Sequence, residues 1–243
     1  MTFNRAWVPN SITMASLLCG FLALIVALDR SNLYPAALWL LFIASWLDIL
    51  DGGVARLLHV NSPFGKQLDS LADVVTFGVA PALLMYQAAL YTAGWWGIGA
   101  VALFVCCGVG RLARYNNQVP QEKRSYFSGM PIGISAIFAA LLVFNWGASN
   151  VWLTAALVAL VSYFMVSTIP FPTPGQIAFQ APILIRILLA AIWIFGMLQF
   201  NTWILMPASY FAYGILQNLI PALRPALAKQ PIQAQQTVQA EGQ

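Results

Sequence analysis

Long apolar runs separated by short polar connections dominate this chain, and strict alternation or narrow apolar stripes are scarce. Runs of this kind predict membrane-spanning helices. The first is opened by Pro9-Asn10-Ser11-Ile12-Thr13 and extends to Leu28, because proline is tolerated in a first helical turn and Asn, Ser or Thr can cap it. Further runs fall at 33–58, 65–91, 94–112, 130–144, 151–169, 183–200 and 202–220, each near the roughly 20 residues that a bilayer requires. The expected fold is therefore an all-α polytopic membrane protein with about eight transmembrane helices in a domain over 1–221, core 9–172. Residues 222–243 are rich in Gln, Ala and Pro and read as a polar, disordered tail.

Composition agrees with this pattern. Of 243 residues, 60% are hydrophobic and 7% charged, where soluble domains carry about 25% charged residues. No cleavable signal peptide is expected, since the first run is too long and no small-residue cleavage site follows it. Cys19, Cys106 and Cys107 lie in apolar runs without metal-site or disulfide spacing and are expected to be buried, inert thiols. His59 reads as a solvated or interfacial side chain in a polar connection.

The few charges are informative by position. With eight spans, Arg5, Arg56, Lys66, Arg111, Arg114, Lys123, Arg124, Arg186, Arg224 and Lys229 share one side, and Arg30 alone is on the other. Positive residues accumulate on the cytoplasmic side, which places both termini there. Four of the seven acidic residues are Asp48, Asp51, Asp69 and Asp73, and all four lie within apolar runs. An ionisable group inside a membrane is costly unless paired, wet or bound to a cation, so these four call for a common explanation.

Spacing brings them together. Asp48 and Asp51 are three apart and Asp69 and Asp73 four apart, so each pair shares a helix face. Asn61-Ser62-Pro63 is a turn signal between them. Asp51 lies ten residues before Asn61 and Asp69 eight after, similar depths on antiparallel helices rising about 1.5 Å per residue. Like charges so close need compensation, and one Arg and one Lys in the stretch do not supply it. Oxygen-only ligands suit Mg²⁺ or Mn²⁺, and a pair of such cations forms a clamp for displacement at phosphorus. Gly52, Gly53, Ala55 and Gly65 remove side chains beside the acids, either for close helix packing or for close approach of a phosphate. Arg56 lies one turn beyond Asp51, where it can reach a phosphate oxygen or snorkel to the interface. Ser62 can donate to a phosphate or simply make the turn.

The run Asp48-x2-Asp51-Gly52-x2-Ala55-Arg56-x8-Gly65-x3-Asp69-x3-Asp73 resembles the signature of the CDP-alcohol phosphotransferases at every fixed position. Pro9-Asn10 with Thr13 and Gly20, Ser62 to Lys66, Asp69 to Pro81, Gly110 to Asn116, Tyr126 to Pro131 and Ser167 to Pro170 are similar to the branch of membrane-type bacterial and archaeal phosphatidylserine synthases. After Pro131 this chain has Ile-Gly-Ile, where that branch more often has a small polar residue and a second proline. The resemblance implies transfer of the phosphatidyl group from CDP-diacylglycerol to L-serine, with release of CMP, at the cytoplasmic face of the cell membrane. It implies that Asp48, Asp51, Asp69 and Asp73 hold two divalent cations, with Asp73 also the general base. It implies that Asn10, Thr13, Gly52, Ala55, Arg56 and Gly65 line the CDP site, joined by Ser62 on the turn reading. A homodimer is implied as well, and a nucleic-acid partner is not expected. Arg111 and Arg114, three apart and directly after a span, are candidates for the serine carboxylate; with Lys123 and Arg124 they equally fit a topology signal or attraction to anionic lipid. Glycerol phosphate or inositol phosphate as acceptor stays open, as does, in a different class, a divalent-cation transporter.

Overall fold

The computed structural model describes residues 6–29, 34–60, 62–117, 126–172, 183–185, 187–189, 191 and 204–219. The chain divides into two compact units, Met1–Gln118 with Pro131–Val166, and Val119–Met130 with Ser167–Gln243.

The first unit is helical throughout its described residues. It contains α1 (Trp7–Leu28), α2 (Tyr34–Leu57), α3 (Pro63–Asp73), a π-helical turn (Val74–Val79), α4 (Ala80–Ala88), a 3₁₀ turn (Leu90–Ala93), α5 (Trp95–Asn116), α6 (Ile132–Trp146) and α7 (Val151–Val166). Among the described residues, four helical stretches are long and apolar enough to cross a membrane: Trp7–Leu28, Tyr34–Leu57, Pro63–Ala88 and Trp95–Asn116. Helices α6 and α7 are apolar and shorter. The protein is an all-α membrane protein, with one small strand pair among the described residues.

Helix α1 turns small residues inward, as expected where lipid tails are as apolar as leucine and helices associate by close packing. The buried positions of α1 are Pro9, Thr13, Ser16, Gly20, Ala23 and Ala27, recurring every three or four residues. Trp39, Ile43, Trp46, Ile49 and Leu50 of α2 are exposed. Helix α1 packs along α2, and Ser16 Oγ donates to the Ala44 carbonyl at 3.0 Å. Helix α6 is buried on all sides from Ser135 to Val143 and forms the centre of the unit, against α4, α7 and the π turn.

The connection from α2 to α3 follows from local chemistry. His59 has φ 52° and stands where glycine usually ends a helix. Val60 N–H donates to the Ala55 carbonyl at 2.9 Å and His59 N–H to the Arg56 carbonyl at 3.2 Å, the paired bonds of a Schellman ending. Ser62 then caps α3, accepting from Gly65 N–H at 2.9 Å, with Pro63 in the first turn. The lone histidine is thus an exposed helix-ending residue.

Several expectations need correction. The fourth span does not stop near 112: α5 runs to Asn116, so Arg111 and Arg114 lie on the helix rather than after it. Apolar content falls before helicity does, because Arg and Ala are good helix formers. The sixth span ends at Val166, short of 169, because Pro170–Pro172 is extended. Cys106 is exposed rather than buried, and Cys19 and Cys107 are half-buried; in a membrane helix an apolar position need not face the core. Most of the seventh span, 183–200, and the tail at 222–243 lie outside the described residues.

In the second unit, β1 (Tyr126–Ser128) pairs antiparallel with β2 (Pro170–Pro172), Phe127 opposite Phe171. Helix α8 (Leu205–Leu219) holds β2 by side chains: Tyr210 Oη donates to the Pro172 carbonyl at 2.9 Å, and Gln217 Nε2 and Asn218 Nδ2 each donate to the Pro170 carbonyl at 3.0 Å. The fully buried Phe171 ring stacks on Tyr210 and Phe211 and fills the space beside Gly214. A Cβ on Gly214 would collide with that ring. Overpacking of this kind costs about 1–3 kcal/mol, so Gly214→Ala is expected to lower the unfolding midpoint in detergent, read by denaturant titration.

Candidate active site

The four aspartates sit on the hairpin formed by α2 and α3. Asp48 and Asp51 lie in the last turns of α2 and Asp69 and Asp73 on α3. Carboxylate oxygens of Asp48, Asp51 and Asp69 all lie within 4.8 Å of one another. Asp73 lies on the same helix as Asp69, one turn further on, with its carboxyl neighbouring that of Asp48. Asp51 is buried and the other three are half-buried.

Helix α1 supplies a partner for this group. Thr13 Oγ1 donates to Asp51 Oδ2 at 2.5 Å, across 38 residues of sequence. The same oxygen lies 3.1 Å from the Pro9 carbonyl. A hydroxyl has one proton, and the shorter contact to the carboxylate takes it. Thr13 therefore orients a ligand of the cluster directly. Asn10, one turn earlier on α1, brings its side chain beside α3: a Cβ on Gly65 would stand 3.1 Å from Asn10 Oδ1 and 3.0 Å from Ser62 Oγ. Gly65 is thus needed for close approach of α1 and the α3 cap.

Gly52 and Gly53 behave differently. A Cβ on Gly53 would meet nothing within 4 Å, and one on Gly52 only Arg56 Nη1 at 3.5 Å. Neither glycine serves helix packing. Together with Ala55 they leave open space on α2 beside the acids, with the Arg56 guanidinium over Gly52. Ser62 uses one of its two lone pairs on the α3 cap.

Arg111 and Arg114 have different environments. Arg111 is buried, and its guanidinium carbon lies 4.7 Å from the centroid of the Tyr115 ring. Arg114 Nη1 donates to the Val166 carbonyl at 2.7 Å, at the C-terminal end of α7, where backbone acceptors lack partners and cations are favoured. A network absent from sequence reasoning ties α3 to the end of α5: Asn116 Nδ2 donates to Ser70 Oγ at 2.8 Å, and Lys66 Nζ to the Asn116 carbonyl at 3.3 Å. The polar Arg111–Asn116 run was the available signal, but nothing in it names Ser70 as the partner.

The donor set fits hard divalent cations. It is all oxygen, anionic and concentrated within a few ångströms, as Mg²⁺ and Mn²⁺ require. Carboxylates this close repel unless a cation or a shared proton lies between them.

Comparison with known proteins agrees with this site. Residues 6–166 match the family model described as CDP-alcohol phosphatidyltransferase. A protein of Bacillus subtilis (strain 168) named CDP-diacylglycerol–serine O-phosphatidyltransferase is 40% identical over 166 residues, covering 68% of this chain and 90% of that protein. A protein of the same name from Helicobacter pylori (strain ATCC 700392 / 26695) is 33% identical over 217 residues, 87% of this chain and 90% of that protein. The archaetidylserine synthase of Methanothermobacter thermautotrophicus is 36% identical over 168 residues, 68% of this chain and 69% of that protein. The family match covers well over half the chain and contains all four aspartates together with the threonine and glycines around them, so this chain belongs to the CDP-alcohol phosphatidyltransferase family.

Proposed function

We propose that the protein transfers the phosphatidyl group of CDP-diacylglycerol to L-serine, forming phosphatidylserine and CMP. The observation that carries the reading is the gathering of Asp48, Asp51 and Asp69 within 4.8 Å, with Asp73 one turn beyond Asp69 and open space over Gly52 and Gly53. Serine as acceptor is supported by the names of the bacterial relatives.

Asp48, Asp51, Asp69 and Asp73 are the residues that would hold two divalent cations, Mg²⁺ or Mn²⁺. Bound there, the cations would supply neutralisation of the diphosphate and of the charge that develops on departing CMP. The chain's own groups do the rest. Arg56, over Gly52, points a guanidinium toward the space left for the phosphates. Thr13 holds Asp51 in place, and Asn10 and Gly65 bring α1 against the start of α3 at the same level. The serine hydroxyl has a high pKa, so a carboxylate must accept its proton as attack proceeds. Asp73 takes that proton while the serine oxygen bonds to the phosphatidyl phosphorus and the bond from that phosphorus to the CMP oxygen breaks. Arg111, buried beside Asp73, is placed to hold the serine carboxylate. Arg114, bonded to the end of α7, is assigned to structure instead.

The site lies at the ends of α2 and α3 that carry Arg56 and Lys66, and the positive-inside bias puts those ends at the cytoplasm. The proposal therefore includes eight spans, cytoplasmic termini, a place in the cell membrane and a homodimer. It extends the transferase domain over 1–221, followed by a polar tail. A cytidine-linked donor then meets the site from the water side while its acyl chains stay in lipid.

Purified protein given CDP-diacylglycerol, Mn²⁺ or Mg²⁺, and labelled serine, glycerol phosphate or inositol phosphate is expected to release CMP with serine alone. Chelator should abolish the product, and Asp73→Asn should reduce turnover by about 10²–10⁴-fold, the range of a lost general base. Product from glycerol phosphate but not serine would move the protein to another acceptor; metal uptake into vesicles without lipid product would favour a transporter. Separately, Thr13→Val should weaken Mn²⁺ binding, read by titration calorimetry, by about 10–100-fold, as expected for loss of a group that orients a metal ligand. Unchanged affinity would place the role of Thr13 with the nucleotide.

A further inference from the structure

The helix bearing Asp69 and Asp73 changes form immediately after Asp73. From Val74 to Val79 it is π-helical, and Ala80 N–H donates to the Val75 carbonyl, five residues back. Each residue of an α-helix turns the chain by about 100°, so the extra residue taken up by a π turn rotates the helix before it relative to the helix after it. On one side of the turn, α4 is fixed by its buried face, Ala80, Pro81, Ala82, Leu84 and Met85. On the other side, α3 buries only Ala72 and carries the acids. The direction of the acidic face is therefore set by the π turn and not by the core packing of α4.

Contact with α1 is closest at this turn. Gly20 faces Thr76 so closely that a Cβ would stand 2.7 Å from Thr76 Cα and 2.6 Å from its Oγ1. The first of these atoms is backbone and cannot rotate away. Thr76 is 1% exposed, and its hydroxyl has no hydrogen-bond partner among the described residues. A buried donor left unsatisfied costs about 1–3 kcal/mol, so the position is held by shape at the expense of hydrogen bonding. Gly20 lies two turns beyond Thr13 on the same buried seam. One helix thus meets both acid-bearing helices: Thr13 bonds to Asp51, and Gly20 seats the turn behind Asp73.

We infer that Gly20 is a positioning residue for the transfer reaction, its missing side chain allowing the π turn at Thr76 to aim Asp73 at the acceptor hydroxyl. The inference rests on the transferase reading above. Gly20→Ala must push the Thr76 backbone, and with it Asp73, out of place. A misplacement near 1 Å can cost about 10²-fold in rate. Purified Gly20→Ala is expected to show kcat reduced by roughly that factor, while KM for CDP-diacylglycerol stays within about twofold, since binding groups on α2 are untouched. Gly99→Ala on α5, where a Cβ meets nothing within 4 Å, should leave kcat unchanged. Thr76→Gly in the Gly20→Ala background should recover only part of the loss, because the closest backbone atom remains. Normal kcat in Gly20→Ala, a rise in KM alone, or full recovery in the double variant would overturn the inference. Should Gly20→Ala fail to fold, Thr76→Leu decides: it enlarges the same contact from the other side and must lower kcat likewise, and normal turnover there overturns the inference. Wild-type protein that makes no CMP would instead overturn the transferase reading itself.

Discussion

Mutual repulsion among four carboxylates is the constraint around which the rest of the first unit is arranged. Asp48, Asp51, Asp69 and Asp73 can be held together only if something opposes their charge and something rigid prevents the helices from parting. The helix ending at His59 and the Ser62 cap with Pro63 fix the facing ends of α2 and α3. Helix α1 then lies against both, bonded to Asp51 through Thr13 and packed against the π turn through Gly20. These contacts involve small residues, so that backbone, not flexible side chain, sets the distances.

On the proposed reading, the same arrangement separates binding from chemistry. The glycines at 52 and 53 and the guanidinium of Arg56 offer an open, cationic surface on α2, whereas Arg111, on α5, is buried. A donor diphosphate and a small zwitterionic acceptor have different needs, the first for accessible charge and the second for a confined, oriented pocket. Arg114, so close in sequence to Arg111, serves the end of α7 instead.

Much of this was legible in the sequence because the relevant signals are local. Three- and four-residue spacing put the acids on shared faces, Asn61-Ser62-Pro63 marked the turn, and distances from that turn placed Asp51 and Asp69 at one level. The features that escaped notice depend on contacts between distant segments. The π turn has no composition of its own and is recognised through its packing against Gly20. The strands of Phe127 and Phe171 are three residues long, and the second begins and ends in proline, which argues against strands except at edges. Exposure of Cys106 could not be read from hydropathy, since lipid and protein interior select for the same apolar residues.

The inward seam of α1 reverses a familiar rule of mutational tolerance. In a water-soluble domain the dangerous change is usually the one that hollows the core. Here the inward positions are already nearly as small as amino acids allow, so the hazard is growth: a single methyl at the wrong place wedges two helices apart. Outward-facing tryptophans and leucines, by contrast, can exchange one bulky apolar group for another with the surrounding lipid hardly noticing. Sequence drift in such a protein is therefore channelled to its periphery, and its interior evolves under a ceiling on volume.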